Sequence, residues 1–400
     1  MIELERCRQV EGTVWIGMDV HKKSCTMTAI DDAGREISCW NMPTTPAQLN
    51  AFIRGVPTKA KIALEASTTG KAVAHWLRNA NLDAHMASPR ELAAIRASGV
   101  VTDERASYHI AHLFRNNYFP ESYIPTVETD RIRDLTRFRI GLGRDVARIK
   151  NQIHAIVSRN LFDSEIPQTD MFGKAGLQKL VSLPFPEQDR SILKSHLEHL
   201  KLLIRQEEQY SEELARIGKG RPDVELAMSI PGIDFYGAIG ILGEIGDVHR
   251  FATRRKLYSY SGLVPGADNS GEQVSKHRRC KRGNSVLKYF LCNAVQGAIR
   301  ASKPNSIAKF YHKKAKQIGH AKAQVAAARK LAGILWTILV SGMPYKEEDP
   351  ALTQRKKARM ELKARATQHC VTTEELNELA ANISAKEQVL KRLLPEDEEE

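Results

Sequence analysis

The sequence predicts an α/β domain built on a mixed sheet, then a helical, coiled-coil-like connector, then a mainly α second half. Three observations carry this. The N-terminal segment alternates strand-like and helix-like stretches in the order strand, strand, strand, helix, strand, helix, strand, helix, which is the pattern of a sheet flanked by helices. Residues 128–160 and 186–216 read as two long, charged helices. The positive charge of the chain is concentrated in one later block. The boundaries that follow are 1–125, 126–223, 224–345 and a charged helical tail at 346–400.

In the first strand Val14, Ile16 and Met18 alternate with Trp15, Gly17 and Asp19, the period of a half-buried strand. Cys25 to Ile30 is a second apolar run, and Asp31, Asp32 and Gly34 supply the turn to a third over 35–41. Pro46 to Ile53 is helix-like, Lys61 to Ala66 a buried strand, and Gly70 to Asn79 a helix with Val73, Trp76 and Leu77 on one face. Ala84 to Ser88 is a short strand and Pro89 to Ala97 a helix. Thr102 stands as N-cap of a helix reaching Phe114. In the connector Leu193, Leu197, Leu200 and Ile204 form a 4-3-4 seam for a partner helix, either a second copy or a neighbour in a bundle. Gly218 to Asp223 reads as a linker.

The 400 residues allow two or three domains. No apolar run approaches the roughly 18–20 residues of a membrane span, and the start, MIELERCRQV, lacks an apolar signal core. A cytoplasmic protein without membrane contact is the expectation. The six cysteines form no C-x-x-C pair, so neither a zinc site nor a disulfide framework is indicated. Net charge is +13. Residues 251–330 hold 18 Lys and Arg against two acids, Asp268 and Glu272. One-signed charge on that scale is an electrostatic footprint for a polyanion such as nucleic acid.

Asp19 lies inside an apolar strand and Glu65 ends another, and charge in such places is costly without a partner. With Asp103 at a helix start, three acids from separate elements suit a hard cation, Mg²⁺ or Mn²⁺. Such a cation serves phosphoryl transfer. Further along, Ser229-Ile230-Pro231-Gly232-Ile233 resembles the turn of a helix-hairpin-helix, whose backbone approaches phosphate closely. A tight helix–helix turn explains the same residues.

The strings Ile16-Gly17-Met18-Asp19-Val20-His21-Lys22-Lys23, Leu64-Glu65-Ala66-Ser67 and Thr102-Asp103-Glu104-Arg105-Ala106-Ser107 resemble the DEDD-motif transposases of the IS110 insertion-sequence family. The blocks Tyr260-Ser261-Gly262-Leu263-Val264-Pro265, Asn269-Ser270-Gly271 and Lys276-His277-Arg278-Arg279-Cys280-Lys281-Arg282 resemble its C-terminal transposase domain. The resemblance covers roughly residues 13–345. It implies a ribonuclease-H-like, resolvase-type first domain, with Asp19, Glu65 and Asp103 as metal-binding and catalytic acids. It also implies Ser270 as nucleophile, ahead of Ser261 and Ser285. Lys22, Lys23, Arg254, Arg255, Lys276, Arg278, Arg279, Lys281 and Arg282 are the expected nucleic-acid contacts. The family pattern has a second aspartate three residues after the first; here that position is Ala106, and the Lys expected earlier falls on Val101. Alanine offers no ligand, so the chain either works with three acids or is catalytically impaired.

The activity implied is site-specific DNA recombination through a phosphoserine intermediate, guided by a structured RNA that pairs with donor and target DNA, in a homodimer or homotetramer. The alternatives are a Mg²⁺-dependent, resolvase-like hydrolytic nuclease and a catalytically impaired nucleic-acid binder.

Overall fold

A computed structural model describes residues 2–95, 102–166, 170–264, 269–270, 273–274, 283–366 and 371–381. The chain divides into two compact units, 1–130 and 131–400.

The first unit runs α1 (Ile2–Gln9), β1 (Val14–Val20), β2 (Ser24–Ile30), β3 (Glu36–Pro43), α2 (Pro46–Gly55), β4 (Ala60–Glu65), α3 (Thr68–Asn79), β5 (Asp83–Ala87), α4 (Pro89–Ile95), α5 (Asp103–Arg115) and β6 (Glu121–Ser122). The sheet order is β3-β2-β1-β4-β5-β6. β1 is antiparallel to β2 and parallel to β4, and β4 is parallel to β5. This mixed sheet is compatible with the ribonuclease-H-like fold. Ile16, Met18, Met27, Ile62 and Leu64 are fully buried in its core. The expected elements form with ends moved by a few residues; α1 and β6 were not anticipated.

α5 lies directly on β1. A Cβ built on Gly17 would stand 2.0 Å from the Ser107 carbonyl oxygen, so only glycine permits the approach. Ala106, Ser107, Ile110 and Ala111 form the buried face of α5. Thr102 caps the helix, its hydroxyl accepting from the Arg105 N–H at 3.3 Å. Small residues on both elements thereby fix the start of α5 over the C-terminal end of β1.

The second unit takes up most of α6 (Val127–Arg159) and continues with α7 (Lys174–Ser182), α8 (Glu187–Gly218), α9 (Pro222–Met228), α10 (Phe235–Ile245), α11 (Arg254–Tyr260), β7 (Asn269–Ser270), β8 (Gln273–Val274), α12 (Ser285–Ile299), α13 (Ser306–Ile318), α14 (His320–Ser341) and α15 (Pro350–Ala364). It has two cores. Leu193, Leu200 and Leu203 of α8 pack with Ile149 and Ile153 of α6 and Leu180 of α7. Leu193 and Leu200 of the seam are thus buried inside one chain, while Leu197 is partly buried and Ile204 about half exposed. The larger core joins Leu214 and Ala215 of α8 to Val224, Ile239, Leu291 and Leu331. The Gly218–Asp223 stretch is thus a tight turn between helices that share a core.

α14 corrects one reading: it is long and apolar enough to cross a membrane by length and composition. Its small and apolar residues Ala327, Ala328, Leu331, Ala332 and Leu335 are instead fully buried in the larger core. The tail helix α15 docks by Thr353 and Met360, both buried. Its Lys356 Nζ donates to the carbonyls of Met228 and Ile230 at 2.7 and 2.8 Å.

Candidate functional site

Asp19 is the sixth residue of β1, and Asp103 is the first of α5. The close packing at Gly17 brings them to one place, where His21 joins them. His21 Nε2 lies 3.6 Å from Asp19 Oδ2 and 3.3 Å from Asp103 Oδ1. Ligand atoms of all three fall within 4.8 Å of one another. Asp19 is largely covered, whereas the His21 and Asp103 side chains are about half exposed, so the group opens to solvent. Two carboxylates and an imidazole near the end of a strand fit a divalent cation by donor type. A groove of about 620 Å³ opens beside Asp103, lined also by Thr26, Trp40, Asn41 and Glu104.

Glu65 ends β4. In the parallel pairing Met18 faces Leu64, so Glu65 and Asp19 are the next residues along that register, at the same end of two neighbouring central strands. Among the described residues, the group converging within 4.8 Å does not include it. Ala106 is buried one turn into α5. Ser107 does not substitute for an acid there. Its hydroxyl is fully buried, 2.7 Å from Thr28 Oγ1, and donates to the Glu104 carbonyl at 2.9 Å. Lys22 and Lys23 are exposed in the turn after β1. His21 was missed as a site residue. The available signal was its spacing: residues i and i+2 of an extended chain share a face, so His21 follows Asp19.

In the second unit the backbone of Ser270 is in β7, paired with Gln273 of β8. Its side chain, and all of Lys276, Arg278, Arg279, Lys281 and Arg282, lie outside the described residues. The segments flanking that stretch are anchored on Glu244, which is fully buried. Arg137 donates to its two carboxylate oxygens at 2.7 and 2.9 Å, and Asn284 Nδ2 donates to one of them at 2.6 Å. The carboxylate holds the Arg137 guanidinium above its ordinary pKa. Tyr260 OH donates to the Glu244 carbonyl, and the Asn284 N–H donates to the Tyr260 carbonyl. Tyr260 and Asn284, at either end of the serine-bearing stretch, thus both bond Glu244, the tyrosine at its backbone carbonyl and the asparagine at its buried carboxylate. An acid inside the apolar string Gly240-Ile241-Leu242-Gly243-Glu244-Ile245 was the signal for it.

Pro231 and Gly232 do form a hairpin between α9 and α10, with Gly232 at φ +88°. The close approach that glycine permits there is to α12: a Cβ would stand 2.1 Å from the Ala294 carbonyl oxygen. Basic side chains are exposed elsewhere in this unit. Arg254 and Arg255 begin α11, and Lys309, Lys313 and Lys316 fall along one face of α13.

Comparison with known proteins places these features. Residues 16–160 match the family profile of the DEDD transposases of the IS110 type, and residues 224–312 match the Transposase IS116/IS110/IS902 family. Both halves therefore fall in one class, the insertion-sequence transposases. The chain belongs to the IS110 family of these proteins. It is 32% identical over 139 residues to the transposase for insertion sequence element IS1111A of Coxiella burnetii, spanning 34% of this chain and 38% of that protein. It is 22% identical over 260 residues to the transposase for insertion sequence element IS1533 of Leptospira borgpetersenii, spanning 62% of this chain and 74% of that protein. A 43.6 kDa protein of insertion element IS110 from Streptomyces coelicolor is 28% identical over 123 residues, 31% of this chain and 30% of that protein.

Proposed function

We propose that the protein is a DNA transposase that cuts and rejoins DNA through a phosphoserine intermediate, with a divalent cation held by its first unit. Family membership supports DNA as substrate. The observation that carries the metal-site reading is the convergence of Asp19 and Asp103, separated by more than 80 residues of sequence, within 4.8 Å.

In this reading Asp19 and Asp103 hold Mg²⁺ or Mn²⁺, with Glu65 contributing from the neighbouring strand. When bound, the cation polarises a phosphate oxygen and offsets charge developing on it. Ser270 Oγ attacks a backbone phosphorus; the bond to the leaving sugar oxygen breaks, and that oxygen takes up a proton as the serine hydroxyl loses one. Attack by another DNA hydroxyl reverses the step and frees the serine, so no phosphodiester is lost overall. The basic side chains from 254 to 282, with Lys22 and Lys23, neutralise backbone phosphates. A structured RNA selects donor and target by base pairing, and two or four copies assemble on the DNA.

The test is metal dependence of cleavage with defined variants. Asp19→Ala and Asp103→Ala are expected to abolish strand cleavage in Mg²⁺ and Mn²⁺ while leaving DNA binding within about twofold, since each removes a transition-state contact rather than a phosphate contact. Cleavage at the wild-type rate in both variants sinks the metal-site reading.

One observation favours a second reading, a catalytically impaired nucleic-acid binder: the position of the second helix aspartate is a buried alanine. Under it, wild type binds DNA and shows no cleavage in either metal.

A further inference from the structure

We infer that His21 is a ligand of the cation site, an imidazole in place of the carboxylate missing at position 106, and that it shifts the site from Mg²⁺ towards Mn²⁺. The inference rests on the metal-site reading above and deepens it.

Ligand atoms that share one small hard cation at right angles, each about 2.1 Å away, lie about 3 Å apart. His21 Nε2 stands 3.3 Å from one aspartate oxygen and 3.6 Å from the other, already close to that spacing. No donor comes from Ala106, and the Ser107 hydroxyl is committed to Thr28 and to the Glu104 carbonyl. On its helix side the site thus keeps the Asp103 carboxylate but gains no second one from position 106, and on its strand side it gains a nitrogen.

The backbone of His21 is fixed where this role needs it. Its N–H donates to the Ser24 carbonyl at 2.9 Å, and its carbonyl accepts from Thr44 Oγ1 at 3.1 Å. A ligand on a pinned turn loses little freedom on binding. The imidazole itself is about half exposed, so an ion reaches it without rearrangement. Chemistry then sets the preference. Mg²⁺ strongly favours oxygen donors, while imidazole is a better ligand for transition metals, and affinity rises from Mn²⁺ along the series.

The experiment uses the full chain and Mn²⁺ alone as probe. Electron paramagnetic resonance titration reads affinity, and pulsed measurements read ¹⁴N coupling to the bound ion. Wild type is expected to bind Mn²⁺ with imidazole coupling. His21→Ala is expected to lose the coupling and to weaken Mn²⁺ by about tenfold or more. His21→Asp is expected to bind without coupling and to narrow the preference for Mn²⁺ over Mg²⁺ in competition. Asp19→Ala is expected to remove the site. If wild type binds Mn²⁺ through Asp19 with no ¹⁴N coupling, or if coupling and affinity survive in His21→Ala, the inference is overturned and the carboxylate site stands. Absence of any Asp19-dependent Mn²⁺ overturns both.

Discussion

Gly17 determines where Asp103 sits. Its missing side chain lets α5 rest on β1, with the Ser107 carbonyl where a Cβ would otherwise be. Gly17→Ala therefore forces backbone against backbone, and overpacking of that kind costs about 2–3 kcal/mol. The expected result is a lower urea midpoint together with weaker Mn²⁺ binding, because the start of α5 moves away from Asp19. Unchanged metal affinity in a destabilised Gly17→Ala would separate packing from the site and refute the link. The acids on the strands were legible in the sequence, since a carboxylate within or ending an apolar strand needs a reason. For His21 the spacing from Asp19 gives only a shared face; an exposed histidine after a strand has many uses, and the packing of α5 is what gives it a second aspartate neighbour. Ser270 rests on family resemblance, as a serine between Asn269 and Gly271 taken alone reads first as a turn.

At the scale of elements, two polar contacts hold the second unit in form. Glu244 is buried with Arg137 and Asn284 as partners. Arg137→Ala leaves that carboxylate short of its main counter-charge, at a cost of about 1–3 kcal/mol, because the guanidinium is about half exposed and solvent screens the pair. Chemical denaturation checks it; a loss below about 1 kcal/mol contradicts the assignment. Lys356 ties α15 to the α9–α10 hairpin, and burial holds its ammonium down at about 8 from an ordinary 10.5. Between those values the unfolded chain carries more protons than the folded one, so this group's contribution to stability rises with pH through that window. Lys356→Met should thus cost more at pH 9.5 than at pH 7.5, measured by denaturant midpoint. An equal or smaller loss at the higher pH counts against the buried amine.

The long elements were legible because their apolar periodicity is strong. α1, at eight residues of which half are charged, and β6, at two residues, carry too little pattern to find. The leucine seam of α8 was read correctly as a seam, but spacing alone does not say whose helix fills it, and α6 of the same chain does. The tail carries charge and helix propensity but no clear apolar stripe, although Thr353 and Met360 bury one side of its helix.

For the whole molecule, charge distribution sets the expectation. The block at 251–330 holds 18 of the basic residues against two acids, so DNA affinity should fall steeply with salt. Replacing Arg254 and Arg255 with alanine should weaken binding similarly for all sequences and reduce the salt slope by about 2. Filter binding across a salt series checks this, and an unchanged slope removes those residues from the interface.

In the proposed reaction a serine in the second unit becomes joined to DNA, and the carboxylate group in the first unit is required for it. The direct measurement is denaturing electrophoresis of end-labelled DNA, carrying the element's own ends, after incubation with full-length protein, copurifying RNA and Mg²⁺ or Mn²⁺. A labelled adduct that maps to the Ser270 peptide, absent in Ser270→Ala, in Asp19→Ala and with chelator, is the result predicted. Free DNA ends produced equally well by Ser270→Ala, and lost only in Asp19→Ala, would contradict it and identify a hydrolytic nuclease.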